Sequence, residues 1–215
     1  MFNFQEISGF IFDCDGTLLD TLDAWDEAER DLFAQAGPLT QQQEDDIHSA
    51  PIEQAALILH ETHGVGESAE AVLAHLDDFL LPFYRDKAVA LPGAVAFVQA
   101  VADAGIPCVV LSSSPRRYLE AGLAHVGLLD CFTELVTTDE SGCSKQDFAI
   151  YERALKVLDA PRERVWAVDD APYAIAVMRD FGLNTIAVGN GCAPERAEKL
   201  RNTATMFADT LQDLL

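Results

Sequence analysis

The chain has 215 residues, 49% of them apolar, so it is long enough to bury a full core in one or two domains. That composition excludes a disordered chain, and no stretch approaches the roughly 18 unbroken apolar residues of a membrane span. Asp and Glu outnumber Lys and Arg by 36 to 14, a formal charge of −22, which disfavours nucleic acid and anionic membranes as partners. The N-terminus lacks a basic n-region, a long apolar segment and a small-residue cleavage site, so a cytoplasmic location is expected. Any anionic substrate would need a local device against the global field, and a divalent cation is the obvious candidate. The five cysteines, Cys14, Cys108, Cys131, Cys143 and Cys192, contain no C-x-x-C pair and read mostly as buried small hydrophobes.

The first element is a strand over Gly9–Asp13 (GFIFD). It is followed by an interval with no convincing strand, whose helical periodicity covers Leu22–Gly37, Gln41–Ser49, Ile52–His63 and Ala69–Arg85. Gly37-Pro38, Pro51 and Gly64–Gly66 punctuate it. At about 70 residues this is too long for a crossover helix, so a four-helix insertion is expected, with Leu91-Pro92-Gly93 as the return linker. Beyond it strands and helices alternate: helix Gly93–Ala104, strand Cys108–Ser112, helix Pro115–Val126, strand Glu134–Thr138 and helix Asp147–Leu158. Strand Val165–Asp169, helix Pro172–Phe181 and strand Thr185–Gly189 complete the pattern. Near-continuous apolar strands alternating with helices predict a doubly wound parallel α/β sheet. Residues 1–19 and 91–215 would form the discontinuous core, and 20–90 a smaller α-helical cap domain.

In such a sheet ligands bind beyond the C-terminal strand ends. Asp13, Asp15, Ser112, Lys145, Asp169 and Asp170 all fall on that rim. Clustered carboxylates repel one another unless they are protonated or bridged by a cation. Oxygen ligands with waters suit Mg²⁺, Lys145 is a point charge suited to phosphate, and Ser112 offers a hydroxyl. A carboxylate nucleophile and a second carboxylate as acid and base complete the parts for phosphoryl transfer. Plainer readings exist for each: Asp13 and Asp15, or Asp169-Asp170, as helix N-caps, Ser112–Pro115 as a capping run, and Lys145 as a surface lysine. His60, His63 and His75 show no complete ligand set. Trp25, Phe79, Phe83 and Tyr84 fit either a pocket lining or packing between helices.

Asp13-x-Asp15-Gly16-Thr17-Leu18-Leu19-Asp20-Thr21 resembles the first motif of the haloacid dehalogenase-like (HAD) superfamily, and Ser112, Lys145 and Asp169-Asp170 follow in the family's order. The inserted helices resemble the cap of the subgroup containing phosphoglycolate phosphatase and β-phosphoglucomutase. The resemblance implies Asp13 as nucleophile and Asp15 as acid/base. It implies Asp13, Asp170, Asp169 and the Asp15 backbone carbonyl around Mg²⁺. Ser112, Ser113 and Lys145 would hold the phosphate, and Gly16 would permit the turn that brings both carboxylates together. The loop departs from the family's K-P-x-P, reading Lys145-Gln146-Asp147-Phe148.

The same resemblance sorts the chemistries. Dehalogenases of the superfamily lack the second aspartate, which is present here as Asp15. Phosphonatases need a cap lysine, and from Asp31 to Tyr84 there is no Lys or Arg. The related mutases place a His after motif one and a basic residue in the cap, whereas Trp25 stands near that His position. The expectation is therefore a phosphatase acting on a small phosphate ester, as a monomer, with a sugar phosphomutase or a non-catalytic binding protein of the same fold as alternatives. Asp20, Trp25 and Arg116 are the candidate substrate contacts. A cap without positive charge predicts a neutral or cationic leaving group.

Overall fold

In the computed structural model, which describes residues 4–215, the first strand β1 (Gly9–Phe12) lies at the centre of a six-stranded sheet. All pairings are parallel, in the order β3-β2-β1-β4-β5-β6. The other strands are β2 (Cys108–Ser112), β3 (Glu134–Thr137), β4 (Val165–Asp169), β5 (Asn184–Val188) and β6 (Met206–Ala208). The chain builds outward from β1 through β2 to β3, then returns to β4 on the other side of β1. The strand order thus reverses around β1, which in open α/β sheets is where ligands bind.

The apolar runs form strands covered on both faces because successive side chains alternate. Phe10 and Phe12 stack at 5.4 Å on one face, with Phe97 edge-on to both. Ile11 points to the other face, with Val109, Leu111 and Ala167. Helices α5 (Ala94–Asp103) and α6 (Arg116–His125) cover the Phe10 face; α8 (Phe148–Leu158) and α9 (Pro172–Phe181) cover the Ile11 face.

Between β1 and α5 lie the cap helices α1 (Leu22–Ala36), α2 (Gln41–Ser49), α3 (Ile52–Leu57) and α4 (Ala69–Asp86). Helix α2 starts with a reciprocal Thr40–Gln43 capping box. The expected helix Ile52–His63 is α-helical only through Leu57 and widens to a π-helix over Ile58–Thr62. The Val65 N–H then returns to the Leu59 carbonyl, and both side chains are buried. The cap shares one apolar cluster with the Phe10 face of the core. The joint is α4 on α6, where Tyr84 stacks on Tyr118 at 5.3 Å and Asp77 pairs with Arg117 at 2.7 Å.

Three elements go beyond the sequence-based expectation. Short helix α7 (Thr138–Ser141) follows β3, and α10 (Pro194–Thr203) and β6 extend the alternation past β5. Their sequences carry little periodic signal: α10 is mostly polar and β6 has three residues. The capping expectation for Ser112–Pro115 is corrected, since α6 begins at Arg116 with no side-chain cap. Only Cys14 and Cys108 are buried; Cys131, Cys143 and Cys192 are partly exposed, and all five are free thiols. No helix among the described residues is long and apolar enough to cross a membrane.

Gly93, in the return linker, has φ +82°, and a Cβ there would lie 2.0 Å from the Gln212 backbone nitrogen. Linker and C-terminal segment meet backbone to backbone only because no side chain intervenes. Gly93→Ala should destabilise the protein by about 3 kcal/mol, read from the urea midpoint at unchanged slope.

Candidate active site

The strand ends deliver the site. Asp13 leaves β1 with its N–H bonded to the Val168 carbonyl, in register with β4, whose end supplies Asp169 and then Asp170. Between Asp13 and Leu19 the chain curls into a tight loop in which the Leu18 and Leu19 N–H groups both return to the Cys14 carbonyl. Gly16 makes this possible at φ +77°. A Cβ there would lie 2.9 Å from Asp170 Oδ2, so the position needs glycine for the backbone and for the approach of the carboxylate. The Gly16 carbonyl accepts the Asn190 amide at 2.8 Å.

Asp13, Asp169 and Asp170 each offer a carboxylate oxygen within 4.8 Å of the others, and all three are buried. Lys145 Nζ donates to Asp13 at 2.5 Å and to Asp169 at 3.0 Å from a site only 4% exposed. Asp170 accepts from Arg196 at 2.7 Å and from Thr17 at 3.4 Å. Burial pushes the Asp13 carboxyl well above its ordinary value; Lys145 draws it back, while Asp169, Asp170 and Asp15 raise it further. Burial, then Asp169, lifts Asp170 to about 6 against the pull of Arg196. Burial acts to lower Lys145, but Asp13 and Asp169 overcome it and hold the ammonium charged. Two cations thus stand against a larger set of carboxylates, and the oxygen-only donors fit a hard divalent cation. Among the described residues this is the one group of acidic, His or Cys side chains gathered closely enough to hold a metal ion.

Asp15 sits apart in a ring of hydroxyls. Its Oδ1 accepts from Thr21 at 2.7 Å and from Tyr84, and its Oδ2 from Ser114 at 2.7 Å and Ser112 at 3.3 Å. Tyr84 in turn accepts from the Trp25 indole N–H at 2.8 Å. Burial, then the Asp15 charge, drives the Tyr84 phenol well above its ordinary value, so it stays a donor. Cys14, between the two aspartates, is pushed up by burial first and remains a thiol.

A cavity of about 850 Å³ opens over these groups, with core residues on one side and cap residues on the other. Asp13, Asp15, Ser112, Ser113, Lys145, Asp169, Asp170 and Trp25 all line it. The Ser113 hydroxyl is buried without a partner. Gly16 contributes the loop beneath Asp170. Two expected substrate contacts lie elsewhere. Asp20 is exposed and outside the cavity, because its N–H is tied to Val89 at the cap hinge. Arg116 is bound by Glu134 at 2.8 Å and Glu140 at 2.5 Å, a local ion-pair network on the flank of the core. Phe79 and Phe83 pack against the shared apolar cluster. His60 and His75 each bond a backbone carbonyl.

The sequence reading named Thr21, Tyr84 and Ser114 without bringing them to Asp15, and it missed Arg196 and Lys199 on the cavity rim. Arg196 is the one a rim argument reaches, since it follows the end of β5. The absence of proline after Lys145 is made good by hydrogen bonds: Asp147 Oδ2 accepts from Ser144 N–H and hydroxyl, and Ser144 Oγ accepts from Gln146 N–H. Tyr151 then donates to the Lys145 carbonyl at 2.7 Å.

A family model described as haloacid dehalogenase-like hydrolase matches residues 7–182. The chain belongs to this family. Among its curated relatives, validoxylamine A 7'-phosphate phosphatase of Streptomyces hygroscopicus subsp. limoneus is 26% identical over 174 residues, covering 80% of this chain and 81% of that protein. A phosphoglycolate phosphatase of Rhodospirillum rubrum is 27% identical over 210 residues, covering 88% and 83%. CbbY of Rhodobacter sphaeroides, solved in complex with phosphate, superposes at TM-score 0.78 over 97% of this chain and 96% of its own, and at 20% identity it attests the fold. The expected phosphoric monoester hydrolase of this family agrees with these relatives.

Tyr84 joins the cap helices to Asp15. Tyr84→Phe should keep the fold and cost about 1–2 kcal/mol in urea unfolding, since Trp25 and Asp15 each lose a buried partner. In a double-mutant cycle with Trp25→Phe the two losses should fall short of additivity.

Proposed function

We infer that the protein is a Mg²⁺-dependent phosphatase that hydrolyses a small phosphorylated metabolite, a sugar or alcohol monophosphate, through an aspartyl-phosphate on Asp13. The observation that carries this reading is the Asp13 carboxylate at the floor of the cavity, with Lys145 at 2.5 Å and a separately held second carboxylate, Asp15, two residues on. An Asp13 oxygen attacks phosphorus as the ester P–O bond breaks, and Asp15 gives a proton to the leaving oxygen. Asp15 then takes a proton from water, which attacks the same phosphorus and frees Asp13. The Ser112 and Ser113 hydroxyls and Lys145 hold the phosphate oxygens, and Lys145 offsets charge that would otherwise repel them. Asp13, Asp169, Asp170 and the Asp15 backbone carbonyl would hold Mg²⁺, which when bound withdraws charge from the transferring phosphoryl group.

Hydrolysis is favoured over phosphoryl return to a sugar. Trp25 commits its only donor to Tyr84, and the cap side of the cavity has neither Lys nor Arg. The relative acting on validoxylamine A 7'-phosphate is itself a phosphatase. The intact cluster opposes a purely binding role. This reading includes a cytoplasmic, monomeric enzyme acting on small phosphate esters, with neither nucleic acid nor membrane as partner.

Asp13→Asn should lower kcat on p-nitrophenyl phosphate at least about 1000-fold with an unchanged circular dichroism spectrum. Turnover close to wild type would remove Asp13 as nucleophile. Separately, Mg²⁺ should raise the Tm of the wild type in a concentration-dependent way, and Asp170→Asn should blunt that rise. Equal shifts in both proteins would place the ion elsewhere.

A further inference from the structure

The segment after β5 closes the site from a side that the sequence motifs do not reach, beyond the residues 7–182 that the family model matches. Asn190, at φ +44°, donates its side-chain amide to the Gly16 carbonyl at 2.8 Å and so holds the loop that carries Asp15. Asn is one of the few residues besides glycine that take this left-handed conformation readily. Arg196, on the first turn of α10, holds the other half of the site. A single nitrogen, Nη2, donates to Asp170 Oδ2 at 2.7 Å and to the Asp170 backbone carbonyl at 3.1 Å. Bonding the side chain and the main chain of one residue from one donor fixes the carboxylate relative to its own backbone. Among the arginine ion pairs of the described residues this is the one whose acid is buried; Arg85, Arg116, Arg117, Arg179 and Arg201 all pair with acids open to water. Pairs of that open kind contribute little. Asp170 instead has both oxygens engaged inside the molecule, Oδ2 by Arg196 and Oδ1 by Thr17.

We propose that Arg196 is a positioning residue for the metal site: it presents the Asp170 carboxylate to Mg²⁺ alongside Asp13 and Asp169. This deepens the Mg²⁺-dependent reading and rests on it. A carboxylate has about four lone-pair sites, so the bonds from Arg196 and Thr17 orient Asp170 without exhausting it. Gly16 leaves room for that orientation, since a Cβ there would lie 2.9 Å from the same Oδ2. Two effects of Arg196 on a bound cation oppose each other. Its charge repels Mg²⁺, while its hydrogen bonds hold in place a ligand that would otherwise have to be ordered as the ion binds. The Arg196 side chain is 40% exposed, so water and salt screen the repulsion. Hydrogen bonds to a buried carboxylate are screened far less. Orientation therefore outweighs repulsion, and losing Arg196 weakens the site although it removes a like charge.

The test is a calorimetric titration of the wild type, Arg196→Met and Arg196→Lys with Mg²⁺ alone, with the Mg²⁺-induced rise in Tm as a second readout. Kd should rise about ten-fold or more in Arg196→Met. It should rise by a smaller factor in Arg196→Lys, whose ammonium keeps the charge but lacks the planar fork. At saturating Mg²⁺ the KM for p-nitrophenyl phosphate should stay near wild type in both. Mg²⁺ binding as tight as wild type, or tighter, in either folded variant overturns the proposal, so Arg196→Lys decides alone should Arg196→Met fail to fold. An unchanged Kd with a raised KM would make Arg196 a substrate contact instead. A wild type that binds no Mg²⁺ by either readout brings down the metal reading and the proposal together. The expected order of Kd in a protein that hydrolyses no ester upholds Arg196 and brings down the phosphatase reading alone.

Discussion

Lys145 lies 2.5 Å from Asp13 and 3.0 Å from Asp169, and the rest of the site is built around that contact. Strands β1 and β4 pair in register, so their last residues necessarily bring two buried carboxylates side by side, with Asp170 next in line. Such a group is costly to bury without a positive charge within hydrogen-bonding distance. The chain supplies it from a loop 132 residues beyond Asp13, and fixes that loop through Asp147, Ser144 and Tyr151. One ammonium and the Arg196 guanidinium leave the cluster short of positive charge. The raised positions of Asp13 and Asp170 express that deficit, and it is why the arrangement suits a divalent cation.

The second aspartate obeys a different logic. Asp15 is turned from the cluster and satisfied by four neutral hydroxyls from three parts of the chain. Neutral donors satisfy its carboxylate without an ion pair. One of those hydroxyls, Tyr84, belongs to the last cap helix, and its own donor, Trp25, belongs to the first. The cap is thereby in hydrogen-bond contact with the proposed acid/base. Its stacking on Tyr118 and the Asp77–Arg117 pair seat α4 on the core beside the same point.

The cap also makes the cavity asymmetric. Asp26, Glu29 and Asp45 line it from the cap, whereas Lys145, Arg196 and Lys199 line it from the core. Likeness to a solved structure at 20% identity attests the fold and leaves open what the cavity holds.

Local sequence was enough for much of this protein. Apolar runs of strand length, glycine stops and a strandless interval after Thr21 placed five of the six strands and the inserted helices, because those signals come from burial periodicity and backbone preference. Carboxylates at strand ends marked the rim, since a parallel sheet puts all those ends together. Tertiary structure alone decided which long side chains reach the cavity. Arg116 and Asp20 were plausible by position but are held elsewhere by Glu134, Glu140 and the hinge backbone. The contacts of Arg196, Tyr84 and Glu29 carry no local mark, because each depends on a partner 26, 69 or 19 residues away along the chain. Periodicity reports which face of an element is covered; which distant charge or hydroxyl meets it is fixed only when the elements pack.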